Sequence, residues 1–308
     1  MKRQIILFIF SMVIVANLAT AQENNNVFSY SVGEYRVYLL SEGQQKGNTG
    51  ILIGATSEMI AEYIPDGTFP NASNAFLVQT PDNKNWLFDT GYGRLLFSNL
   101  QYLGLTADDI DAILITHMHG DHIGGLLKND IRLFSHAKLY IPQEEYNYWT
   151  SDEAMNRLPE NNRGGFEFAR KVIKAYEKQL ILFNPNELGK ITETLLPGIK
   201  PIAAYGHTPG HTTYLIESGK DKVLLWGDLT HAMAIQIPYP QVAVTYDVNP
   251  AEAVKTRLAI LDYVSKNNIP IAGMHIAFPA TGTIKAKAAN HYTYTAQSDS
   301  ASCDHLIE

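Results

Sequence analysis

The chain has 308 residues, 45% hydrophobic and 18% charged, enough to bury the core of a layered α/β domain. Its 24 basic and 31 acidic residues give a formal net charge of −7, which excludes the basic footprint that nucleic acid or an anionic membrane surface requires. A single cysteine, Cys303, excludes an intramolecular disulfide.

Residues 1–21 read as a secretory signal peptide: basic Lys2-Arg3, an apolar run over 5–16, and the small residues Ala19-Thr20-Ala21 at a cleavage site. The apolar run is shorter than the ~20 residues a spanning helix needs, so no stable membrane insertion is expected after cleavage. The expected location is periplasmic or secreted. Cleavage removes two basic residues and no acids, leaving 22 − 31 = −9. Residues 22–27 read as a flexible leader and 28–308 as a single domain.

Residues 28–40 alternate as one or two strands, and 41–50 read as a polar turn. Residues 51–69 show no clean period and are expected to form a loop over the site. Paired strands follow at 74–78 and 86–88. The second ends in Asp89, an acceptor suited to orienting a ligand histidine. A helix is expected over 94–103. The apolar run Ala112-Ile113-Leu114-Ile115 then reads as a buried strand and delivers His117, His119, Asp121 and His122 at spacing H-x-H-x-D-H. Imidazole and carboxylate donors clustered at a strand end suit a divalent ion such as zinc, and four donors divide more easily between two ions than they crowd onto one.

A strand at 138–141 leads into an aromatic-rich stretch with Tyr146, Tyr148, Trp149, Phe166 and Phe168. Individually these rings read as helix packing; together they read as a wall for an apolar pocket beside the metals. Phe168, Val172, Tyr176 and Leu180 recur at four-residue steps, so 167–178 is expected to be an amphipathic helix. A strand at 202–205 opens into Gly206-His207-Thr208-Pro209-Gly210-His211, and one at 223–226 ends in Gly227-Asp228. Asn249 caps a helix with Pro250 at its first position and Val254, Leu258, Leu261 and Val264 as its inward stripe. A last strand at 269–274 delivers His275. Strands opening each half and helices following them predict two mixed sheets packed face to face with helices outside, an αββα sandwich of the α/β class.

The H-x-H-x-D-H motif, His211 in GHTPGH, Asp228 in WGDL and His275 in GMH together resemble the metallo-β-lactamase superfamily over roughly residues 28–285. That resemblance implies two Zn2+ ions, one on His117, His119 and His211, the other on Asp121, His122 and His275, with Asp228 between them. His207 is left a supporting role, and His136, His291 and His305 match no motif. The stretches around Asp228, residues 244–247 and 275–282 resemble the branch that holds methyl parathion hydrolase and N-acyl homoserine lactonases. It implies a metal-dependent hydrolase acting on ester, lactone or phosphotriester substrates; the acidic charge favours small neutral substrates and no nucleic-acid partner, and a homodimer is the candidate assembly. The favoured reaction is opening of lactone rings such as N-acyl homoserine lactones by a metal-bridging hydroxide. The alternatives are organophosphate or aryl ester hydrolysis and, from another class, iron-dependent redox chemistry on the same fold. Asp121 is the expected proton shuttle. His231 stands where lactonases carry a substrate-orienting tyrosine, and is its candidate replacement. Phe278, Tyr239 and Phe69 are candidates for the pocket wall.

Overall fold

The computed structural model describes residues 26–297. The expected signal peptide, the first four leader residues, Cys303 and His305 lie outside the described residues. Among those described, no helix is long and apolar enough to cross a membrane.

Two sheets follow the chain in order. The first contains β1 (Val27–Val32), β2 (Tyr35–Asn48), β3 (Thr68–Gln79), β4 (Asn85–Phe88), β5 (Ala112–Leu114), β6 (Lys138–Pro142) and β7 (Leu180–Phe183). Its first four strands pair antiparallel and the rest parallel. The second contains β8 (Ile199–Ala203), β9 (Thr212–Ser218), β10 (Asp221–Leu225), β11 (Ile271–Ala272), β12 (Thr281–Ala288) and β13 (His291–Ala296), with only β10 and β11 parallel.

Alternation along the strands builds the layers. Phe76, Val78, Phe88 and Leu114 face a core shared with Tyr214, Ile216, Leu224 and Trp226 of the second sheet. Their neighbours Leu77, Leu87 and Ile113 point the other way, into a second core with Trp149, Phe166 and Val172. Those rings come from α3 (Gln143–Thr150) and α4 (Gly164–Ala175), after α1 (Ser57–Tyr63) and α2 (Leu96–Tyr102). On the far side, α5 (Pro250–Asn267) packs Ile260, Leu261 and Val264 against the second sheet. The predicted αββα sandwich is what the chain forms.

Several expectations change in detail. Val27, placed in the leader, already belongs to β1. Residues 41–50 are not a turn: β2 runs on to Asn48 because β3 is long enough to pair with it, and a bulge between Ser41 and Gln44 absorbs Glu42 and Gly43. Residues 51–69 hold a two-residue strand paired with 243–244, then α1, and Phe69 already lies in β3. Leu180 leaves the helical stripe for β7. In α5 the inward face is Ala253, Arg257, Ile260, Leu261 and Val264, so the helix is turned from the predicted stripe and places an arginine inside. Its cap is as predicted, with Asn249 accepting from the Glu252 N–H at 3.2 Å.

Candidate metal centre

Strand ends converge at one edge of the two sheets. β4 leads into Asp89, β5 continues into 115–122, β8 into 204–211, β10 into Gly227-Asp228 and β11 into 273–275. Donor atoms of His117, His119, His207 and Asp228 lie within 4.8 Å of one another, as do those of Asp121, His122 and His275, and those of Asp228, His231 and His275.

The Asp228 carboxylate sits at the middle. Its Oδ1 is 3.1 Å from His122 Nε2, and its Oδ2 is 3.0 Å from His275 Nε2, 3.1 Å from His231 Nε2, 3.2 Å from His207 Nε2 and 3.5 Å from His117 Nε2. On the other side three imidazole nitrogens meet: His119 Nδ1 is 3.0 Å from both His117 Nε2 and His207 Nε2.

Surrounding groups turn these nitrogens inward. Asp89, fully buried, accepts from His122 Nδ1 at 2.7 Å and from the Thr116 N–H and hydroxyl at 2.8 and 2.7 Å. Asp247 accepts from His207 Nδ1 at 2.9 Å, and the Ala72 carbonyl accepts from His275 Nδ1 at 2.7 Å. A ring nitrogen that donates outward leaves its partner nitrogen free to bind a metal.

The donor set fits a cation. His122 Nε2 and Asp228 Oδ1 are buried as an ion pair 3.1 Å apart, and neither atom has another hydrogen-bond partner. Buried groups left this way are costly unless something between them satisfies both. Burial pushes the His122 imidazole down, but the Asp228, Asp121 and Asp89 carboxylates outweigh it and hold it well above the usual histidine range. The cluster therefore calls for positive charge at this point. Burial also holds His117 well below that range and brings His119 to about 3, leaving both neutral, the form that ligates.

His211 is the correction. Expected among the ligands, it is turned away from the cluster: its Nε2 accepts from the Asp228 N–H at 2.9 Å, and its Nδ1 donates to the Ala204 carbonyl at 2.9 Å. Both nitrogens serve backbone groups, one at Asp228 and the other at Ala204. His207, given only a supporting role, takes the inward position. Gly227 adopts φ +59, and a Cβ there would meet His211 Nε2 at 2.4 Å, so the His211 ring packs directly beneath the turn into Asp228.

A cleft of about 400 Å³ opens over the cluster, with Asp121 and His231 in its floor and Tyr92 and Tyr246 at its rim. The aromatic rings of 146–168 pack in or against the core, as each reads individually, and do not line the cleft as the group reading expected. Trp149 approaches closest, edge-on to His119 at 5.6 Å, but Trp149 and Phe166 are core residues. Nor do Phe69, Tyr239 and Phe278 line it. Tyr239 packs on Tyr63, and Phe278 on Phe28.

Three supporting residues were given no role in the sequence reading, although Asp247 lies in the 244–247 stretch that carries the resemblance. Glu145, fully buried in the aromatic stretch, accepts from the Met118 N–H and Trp149 Nε1 on one oxygen and from the Thr208 hydroxyl and Gly210 N–H on the other, tying the two histidine loops together. Asp247 and Arg257 back the second sheet's side of the site. Arg257 donates to the carbonyls of Leu229, Pro240 and Val242.

Fold and donor cluster together define a two-sheet sandwich with a candidate metal centre where strand ends of both sheets meet. A model of the metallo-beta-lactamase superfamily matches residues 68–268, and the chain belongs to that superfamily. It is 29% identical over 129 residues to an N-acyl homoserine lactonase of Bacillus cereus, covering 41% of this chain and 40% of that protein. It is 26% identical over 165 residues to the anti-Pycsar protein Apyc1 of Bacillus phage 010DV004, covering 51% of this chain and 62% of that protein. The chain thus matches less than two thirds of either relative's length. Among solved structures it is similar to hydrolase AbOPH of the beta lactamase superfamily (TM-score 0.81, 25% identity, 90% of this chain and 99% of that one). It is also similar in fold to AidC, a dizinc quorum-quenching lactonase (TM-score 0.81, 24% identity, 89% and 98%).

Proposed function

We propose that this protein is an exported hydrolase that opens lactone rings, with N-acyl homoserine lactones as the leading substrate class, on two zinc ions. His117, His119 and His207 would hold one, Asp121, His122 and His275 the other, and Asp228 would stand between them. The observation that carries this reading is the Asp228 carboxylate with histidine nitrogens facing both of its oxygens in the floor of an open cleft. The relative named N-acyl homoserine lactonase supports the choice of substrate class.

Two divalent ions so placed supply Lewis acidity toward a carbonyl oxygen and make water a stronger acid at neutral pH. The chain's own residues do the rest. Asp121, 23% exposed, lines the cleft and would take a proton from the attacking water and return it to the leaving alkoxide. His231 stacks on His275 at 4.8 Å and donates from Nε2 to Asp228. Burial brings its imidazole down to about 4, so it is neutral, and its buried Nδ1 is a bare acceptor. Tyr92 and Tyr246 line the cleft and are exposed, so both are within reach of a substrate there.

A metal count joined to a substrate panel tests this. Two zinc ions per chain and the highest kcat/KM on an acyl homoserine lactone are expected. A preference by orders of magnitude for methyl paraoxon would move the assignment to phosphotriesters, and iron in place of zinc with oxygen uptake would overturn hydrolysis altogether. Export is checked by the mature N-terminus, expected at Gln22.

A further inference from the structure

A second cleft, of about 230 Å³, adjoins the one over the cluster, and Asn71, Tyr92, Asp121 and His275 line both. The bulge in β2 makes it. With Glu42 and Gly43 out of the ladder, the Glu42 carboxylate accepts from the N–H groups of Tyr92 at 2.8 Å and Leu95 at 3.1 Å, drawing the loop after β4 against the strand pair. The cleft is also fixed to the reacting centre, because Ala72, whose carbonyl holds His275, lies between Asn71 and Ser73 on β3.

Asn71 and Ser73 are two residues apart on a strand and so face the same side. Both line this cleft, and Asn71 Oδ1 and Ser73 Oγ are buried with no hydrogen-bond partner. An alkyl chain lying there would leave both unpaired. Charge argues against an ionic group as well. Glu42 and Asp121 line the cleft with Arg94, whose guanidinium sits 4.3 Å from the Tyr92 ring centroid and has no ion pair among the described residues. Two carboxylates repel an anion, and the guanidinium repels a cation. A neutral group with one donor and one acceptor fits.

We propose that this cleft is a substrate subsite for a secondary amide, whose N–H is accepted by Asn71 Oδ1 and whose carbonyl accepts from the Ser73 hydroxyl. The inference rests on the lactone reading and adds to it the residues that select the substrate: Asn71 and Ser73 recognise the amide, so a lactone lacking an amide N–H is discriminated against.

The test compares kcat/KM for an N-acyl homoserine lactone and for the analogue with an ester oxygen replacing the amide N–H, in the zinc-loaded wild-type chain and in the Asn71→Leu and Ser73→Ala variants. Wild type is expected to prefer the amide by about tenfold or more, chiefly through KM, since a site with an unpaired acceptor rejects a substrate lacking the donor. Asn71→Leu is expected to erase that preference. Ser73→Ala is expected to weaken KM for both substrates, because both retain the carbonyl, and melting curves report whether each variant is folded. Equal turnover of amide and ester by wild type overturns the inference alone, as does a preference that survives Asn71→Leu. Failure to open either lactone overturns the lactone reading and this inference with it.

Discussion

Asp247 accepts from His207 Nδ1 at 2.9 Å with one oxygen and from the Val244 N–H at 3.0 Å with the other, so the loop after β10 decides which way the His207 ring points. Burial works against charge on His207, yet the Asp228 and Asp247 carboxylates outweigh it and lift its imidazole to about 9 in the metal-free chain. A metal bound at Nε2 would replace that proton.

Replacing Asp247 with alanine removes the acceptor that fixes the ring. Metal affinity is expected to fall about 10- to 100-fold, as it does when other carboxylates behind ligand histidines are lost. Competition with a chromophoric chelator measures it, and unchanged affinity would separate His207 from the metal.

The two histidines of GHTPGH should respond differently. His207→Ala is expected to lower the zinc content from two ions to one. His211→Leu is expected to keep both ions but to cost about 1–3 kcal/mol, because the Asp228 N–H and the Ala204 carbonyl lose their partner. Metal analysis and denaturant melts on both variants check this, and loss of an ion only in His211→Leu would restore that residue as the ligand.

Chelation should destabilise the folded chain. The facing atoms of Asp228 and His122 are buried with no other hydrogen-bond partner, and a ligand that binds only the native state adds about 2.7 kcal/mol when present at 100 times its Kd. The melting temperature is expected to drop in excess chelator and to recover with zinc. An identical melt with and without chelator would count against a structural metal centre.

Arg257 is 1% exposed and holds three carbonyls of the loops that carry Asp228 and Asp247. Its guanidinium is 3.9 Å from Asp247, the acid that balances its charge. Arg257→Met leaves Asp247 without that cation and is expected to cost about 3–5 kcal/mol. The midpoint of urea unfolding reports the loss, and a shift below about 1 kcal/mol would show that the loops hold themselves.

Much of the site was legible because its chemistry is local. The apolar run before His117 has to be buried, so the polar residues after it emerge at a strand end, and the same holds for the runs before Asp228 and His275. What spacing does not encode is the direction of a ring. His207 and His211 stand four residues apart in one turn, with Thr208, Gly210 and Thr212 held by Glu145 and the Thr116 carbonyl, partners 63 to 96 positions away in sequence. Those contacts turn His207 inward and His211 toward the backbone.

The same division runs through the fold. Hydrophobic alternation and caps determined the two sheets, the outer helices and the Asn249 helix start, since each follows from burying one face and satisfying the first free N–H groups. Only the tertiary structure decided the length of β2, the bulge at Glu42, the inward Arg257 and the choice of core over cleft for the aromatic stretch. In each case the deciding partner is remote in sequence: β3 for the strand, the loop after β4 for Glu42, three carbonyls for Arg257 and the outer face of the first sheet for Trp149 and Phe166.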